Sequence, residues 1–186
     1  INTKDVNVDY RRTVEQILAP VVEAGLPYSI VFGNHDNQNY VSGTVTDRDA
    51  MLAVWQSIGD CRTVDANQAL SGAGTCKIPV YSSNGNDVAF NLWMLDSGSY
   101  QNPLDGTSGY GSVQDDQLAW MAANNDAGVN SIAFQHIPMP QMYNLFVEDA
   151  NGTKTYNGKT YKLELIDGVT GKAGEFPAPC PADKSN

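Results

Sequence analysis

Histidine occurs only twice in these 186 residues, and each time it stands within three residues of the end of a short apolar run. The runs are Tyr28-Ser29-Ile30-Val31-Phe32 and Asn130-Ser131-Ile132-Ala133-Phe134. The first, short and apolar, reads as a buried parallel strand, and the second as another short strand. Helical patterns precede them. Residues 10–24 place Val14, Ile17, Leu18, Val21 and Val22 on one face, and residues near 113–124 supply Leu118, Trp120 and Met121. Alternating helices and strands predict an α/β (α+β) layered domain. Open α/β sheets build their sites beyond the carboxyl ends of strands, which is where His35 and His136 fall.

The remaining punctuation supports one domain over 1–186. Pro20 predicts a kink or restart in the first helix, and Gly25 its end. Thr46 and Asp49 form a capping box for a helix over 47–58, with Met51, Leu52, Trp55 and Ile58 as its apolar stripe and Gly59 past its end. Strands are predicted at 77–81 and 88–95 around an Asn84–Asp87 turn. A Gly-rich loop covers 99–111, and Ser112 with Asp115 caps the helix that follows. Residues 141–176 read as an excursion from the core, with hairpin signals at Asn151-Gly152 and Asn157-Gly158. There is no internal repeat.

Charge and cysteine usage narrow the function classes. A net charge of −10 and a pI near 4.4 argue against nucleic-acid binding through a basic face. The apolar runs fall far short of the roughly 20 residues a membrane span needs. The chain starts at Ile1 with neither a Met nor a signal peptide, so it reads as a mature product or an excised piece. Cys61 and Cys76 flank a Gly-rich loop, and either a bridge or two free thiols fits their spacing. A bridge would suit an extracellular or exported protein. Cys180, in a Pro-rich segment, reads as a thiol whose partner lies outside the chain.

Gly33-Asn34-His35-Asp36 and His136 carry the chemistry. An Asn side chain offers a neutral carbonyl oxygen to a divalent metal, and imidazole is the commonest transition-metal ligand among side chains. His35 has the chemistry of a general acid, and a neighbouring Asp36 would orient it and favour its protonated form. A polar turn is the plain alternative for residues 33–36.

The wider pattern resembles a known family. Leu26-Pro27-Tyr28-Ser29-Ile30-Val31-Phe32-Gly33-Asn34-His35-Asp36 is similar to the third block of the calcineurin-like metallophosphoesterases. Phe134-Gln135-His136-Ile137-Pro138-Met139-Pro140 is similar to their fourth. Leu95-Asp96-Ser97-Gly98, the stretch Tyr110-Gly111 through Trp120, and Gly171-Lys172-Ala173-Gly174-Glu175 resemble the purple-acid-phosphatase-like branch, which includes the fungal Dcr2-type phosphatases. The resemblance implies an αββα sandwich and a site with two metal ions (Fe, Zn or Mn). Asn34 and His136 would be metal ligands, and His35 and Asp36 catalytic. The implied substrate is a phosphate-ester small molecule or a phosphoprotein.

The chain departs from that pattern at both ends. The family's D-x-H and G-D-x-x blocks precede the third block, yet residues 1–33 contain neither and no His at all. No His follows His136 to supply the G-H-x-H block. Gly59-Asp60 lies on the wrong side of Asn34 and reads as a helix end. The chain is therefore expected to be a central piece of a phosphoesterase, with an incomplete sandwich, weak metal binding and little turnover alone. Self-association through an unpaired sheet edge is expected. The competing expectations are a non-catalytic scaffold and a secreted acidic binding module.

Overall fold

The computed structural model describes residues 10–37, 47–67, 69–100 and 109–180. It is a mixed α/β structure with three α-helices and three small sheets among those residues. No described helix is long and apolar enough to cross a membrane.

Helix α1 (Tyr10–Glu23) buries Tyr10, Val14 and Leu18, a spacing of four that keeps them on one face. These residues meet Met51 and Leu52 of α2 (Arg48–Gln56), together with Phe32 and Ala73. The buried stripe is narrower than the sequence suggests. Ile17 and Val22 stay exposed, because the partners described for α1 cover only one side. Pro20 lies inside the helix without ending it. The end comes at Gly25, whose φ of +65° permits a left-handed turn. There the Leu26 N–H reaches Val21 O and the Gly25 N–H reaches Val22 O, a double closure of the last turn. The cap of α2 is Asp47, whose side chain accepts from the Asp49 N–H; the expected Thr46 lies outside the described residues.

The predicted strand at 28–32 contracts to β1 (Pro27–Tyr28), parallel to β2 (Asp60–Cys61). Beyond Tyr28 a side chain replaces the ladder. Thr63 Oγ1 accepts from the Ile30 N–H at 2.8 Å and donates to Ile30 O at 3.1 Å. A strand needs a partner backbone, and here one hydroxyl takes its place.

The second sheet runs β3 (Cys76–Tyr81), β4 (Val88–Met94) and β5 (Asn130–Phe134) in that order. The first pair is antiparallel and the second parallel. Helix α3 (Asp115–Ala123) packs Leu118, Trp120 and Met121 against Trp93, Leu95 and Val113. Its N-cap is Gln114 rather than the expected Ser112, and the Gln117 side chain accepts the Gln114 N–H. On the other side, Ile78, Leu92, Met94 and Phe134 join Ile30 and Val31 around an apolar cavity of about 460 Å³.

The excursion is a folded unit with its own core. Strands β6 (Phe146–Glu148), β7 (Lys154–Tyr156) and β8 (Lys159–Leu165) form an antiparallel sheet in the order β6-β8-β7. Asn157 and Gly158 both have positive φ, as a two-residue hairpin turn requires. Tyr143, Phe146 and Tyr161 are its buried centre. All three cysteines are free thiols, so the bridged alternative for Cys61 and Cys76 is not realised.

Candidate functional site

Parallel pairing of β4 and β5 makes the chain leave both strands at one end. Met94 sits opposite Phe134, and the Leu95 N–H continues the ladder to Phe134 O. The next residues on each strand, Asp96 to Gly98 and Gln135 to Ile137, therefore lie side by side. The Ser97 hydroxyl oxygen accepts the Ile137 N–H at 2.9 Å. The Gly33–Asp36 turn closes the third side.

Gly33 is required by close approach. A Cβ there would stand 3.2 Å from the His136 ring, which lies against this backbone. The Gly33 N–H donates to Asp36 Oδ2 at 2.6 Å, so this carboxylate closes the turn. Asn34 is buried, and its Oδ1 lies 2.8 Å from His136 Nε2, a contact between residues 102 positions apart. His35 is exposed beside Tyr100, whose hydroxyl is 3.3 Å from Nε2 and whose ring meets the imidazole edge-on. Tyr100 stacks in turn on Tyr110. The structure thus brings Asn34, His35 and His136 to one cavity of about 380 Å³, whose wall also includes Tyr110, Glu175 and Phe176.

Local burial pushes the His136 imidazole below its ordinary pKa, and the charges of His35 and Arg48 push it the same way. Much of the ring surface remains open, but the edge bearing Nε2 packs against Gly33 and Asn34. His136 is therefore neutral at pH 7. A neutral imidazole nitrogen and an amide oxygen 2.8 Å apart could take two positions on a divalent metal ion in place of their contact with each other. The described residues contain no group of three His, Cys, Asp or Glu able to hold a metal, so this pair is a partial donor set.

Behind the site lies an ion pair that sequence reasoning did not single out. Arg48 pairs with Asp96, whose side chain is 1% exposed. The same guanidinium donates to Gly33 O at 2.9 Å and Gly98 O at 3.0 Å. Asp96 also accepts the Ala73 and Gly98 N–H groups, each at 2.9 Å. Gln117, buried, donates to Asp96 O and Thr75 Oγ1. Ser99 Oγ donates to Asn34 O at 2.7 Å. Asp96 belongs to the Leu95–Gly98 motif, whereas Arg48 carries no local signal beyond opening a helix.

The chain is 25% identical over 156 residues to probable inactive purple acid phosphatase 28 of Arabidopsis thaliana, covering 74% of the chain and 39% of that protein. It is 25% identical over 168 residues to phosphatase DCR2 of Saccharomyces cerevisiae, covering 87% of the chain and 28% of that protein. Probable inactive purple acid phosphatase 14 of Arabidopsis thaliana is 24% identical over 153 residues, 72% of the chain and 38% of that protein. No family model and no solved structure matches the chain significantly. The chain is thus similar, at 24–25% identity, to purple-acid-phosphatase-like and Dcr2 phosphatases, the branch its motifs resemble. It spans 28–39% of the length of these curated relatives.

Proposed function

We propose that this chain carries part of a metal-dependent phosphoesterase site. The observation that carries the reading is the Asn34–His136 contact, which sets two neutral donors from distant parts of the chain against each other in a cavity shared with His35. Asn34 and His136 would hold one ion, and Fe, Zn and Mn all accept such oxygen and nitrogen donors. Metal ions bound there would supply Lewis acidity toward phosphoryl oxygens and a lowered pKa for an attacking water. His35, exposed at the cavity, would deliver a proton to the leaving oxygen of a phosphate ester. Asp36 holds the turn that presents it. The substrate class is a phosphate ester of a small molecule or a protein. The completed site would take further ligands from outside these residues, since catalytic metals keep about three protein ligands.

The test is hydrolysis of an aryl phosphate with added Mn²⁺ or Zn²⁺, by the 186-residue chain and by the complete polypeptide its reading frame encodes. Metal-dependent turnover by the complete polypeptide, lost in Asn34→Ala and His136→Ala, supports the reading. A folded complete polypeptide without such turnover rejects it. The second reading, a scaffold that keeps the architecture without the chemistry, is favoured by the word "inactive" in the names of two relatives. It predicts that the complete polypeptide binds no metal at Asn34 and His136.

A further inference from the structure

The geometry points to Arg48 as the positioning residue of this site: its guanidinium, anchored by Asp96, sets Asn34 and His35 in place against His136. Four contacts converge on one side chain. Arg48 pairs with Asp96, donates to Gly33 O and Gly98 O, and lies 5.5 Å from the centre of the Phe32 ring. Each carbonyl belongs to the residue before a site segment. Gly33 precedes Asn34 and His35. Gly98 precedes Ser99, which donates to Asn34 O, and Tyr100, which faces His35. Ser97, on the same segment, holds the Ile137 N–H next to His136. The Gly33–His35 turn and the Ser97–Tyr100 segment are thus bonded to Arg48 directly, and the His136 segment is one hydrogen bond further away, through Ser97.

Stability alone does not account for this arrangement. A buried ion pair recovers little more than the cost of desolvating its members, and apolar side chains of similar volume often serve as well. What the pair supplies is geometry. A guanidinium is a rigid planar fork that can hold a carboxylate and two carbonyl oxygens in fixed directions, which a lysine ammonium cannot do. Asp96 is itself held by two backbone N–H groups, so the anchor does not turn. Groups of this kind, one layer behind metal ligands, typically change metal affinity by about 10- to 100-fold when removed.

The inference rests on the phosphoesterase reading only for its metal arm, and the experiment separates the two. The chain has two histidines, so the imidazole NMR signals of His35 and His136 are assigned with one His35→Gln variant. Arg48→Lys is compared with wild type for thermal melting, for those signals at one pH, and for Zn²⁺ affinity by calorimetry. The expected result is a folded variant with both imidazole signals displaced and Zn²⁺ binding weakened about tenfold or more. In Arg48→Ala, methylguanidinium should return the signals toward their wild-type positions and methylammonium should not. A folded Arg48→Lys or Arg48→Ala with wild-type imidazole signals overturns the proposal and leaves Arg48 a structural residue. If wild type takes up no Zn²⁺ while the signals respond to Arg48, positioning stands, and the metal reading is decided by the complete polypeptide.

Discussion

Two adjoining regions of this molecule are held together by opposite means. The corner around Asn34 and His136 is polar and tied by directional bonds: Arg48, Asp96, Ser97, Ser99 and Gln117 all bond into it. The unit at 140–176 is held by rings. Tyr143 stacks on Tyr156 with centroids 4.2 Å apart and nearly parallel planes, and Phe146, Tyr161 and Phe176 surround it. Ring packing tolerates small displacements, because its energy comes from many weak contacts. Directional bonds to a buried charge do not, because an unpaired charge costs several kcal/mol. The first kind of packing closes a wall of the cavity, and the second fixes where its chemical groups stand.

The largest expected effect breaks the polar corner. Asp96→Ala leaves the Arg48 guanidinium buried without its carboxylate and should cost about 3–5 kcal/mol in urea unfolding. An unchanged midpoint would mean that water replaces the carboxylate and that the corner is less dry than its burial indicates. Tyr143→Ala removes the central ring of the other unit and should cost about 3 kcal/mol. Its signature differs. The 140–176 sheet should lose amide protection while the two imidazole signals stay near their wild-type positions. Equal disturbance of both regions would show that the two kinds of packing form one cooperative unit.

Gly33→Ala tests the contact between loops directly. Its Cβ would press on the His136 ring at 3.2 Å, so the ring or the turn must give by a few tenths of an ångström. Crowding of this kind costs about 1–3 kcal/mol. Zn²⁺ binding should suffer more than the melting temperature does, because the displaced atom is a donor. A variant that melts lower but binds Zn²⁺ as wild type does would detach His136 from the metal reading.

How far these features were legible follows from how local their causes are. The three helices and β5 could be read because their apolar periods and turn residues lie within each segment. The strand expected at 28–32 was cut short because strand status depends on a partner backbone, which Thr63 replaces with a hydroxyl. Caps shifted by one or two residues because Asp, Ser and Gln compete for the same exposed N–H groups. Asn34 and His136 could be paired only through the resemblance of their motifs to a known family. Arg48 and Asp96 are 48 positions apart, and nothing in either segment announces a buried ion pair. The metal ligands that the family resemblance implies beyond these two have no counterpart in the chain, so the site was legible only in part.

The smallest expected effect is the pH dependence that His136 contributes to the polar corner. His136 titrates below its ordinary value in the folded chain, chiefly through local burial. In the unfolded chain it titrates near 6.5. The unfolded state therefore binds more protons between the folded value and about 6.5, and stability rises with pH across that window. The contribution is fully present above about 6.5 and is lost as pH falls through the folded value. Three carboxyls held low, Asp126 by Lys77, Asp149 by Lys162 and Asp116, against its slight desolvation, by the Ser71 and Gln117 N–H groups, lose their contributions only below about 4. Asp49, raised by burial and then by its carboxylate neighbours, acts in the opposite sense above about 4, and the comparison with His136→Gln cancels it. Urea midpoints measured from pH 7.5 to 5 should fall gently for wild type and stay flatter for His136→Gln. The same fall in both would place the titrating group elsewhere. Tyr143→Phe, which removes a hydroxyl bond to Pro177 O in the aromatic unit, should lower every midpoint without changing the slope. If it changes the slope, the two regions are electrostatically coupled, and the contrast between directional and ring packing loses its force.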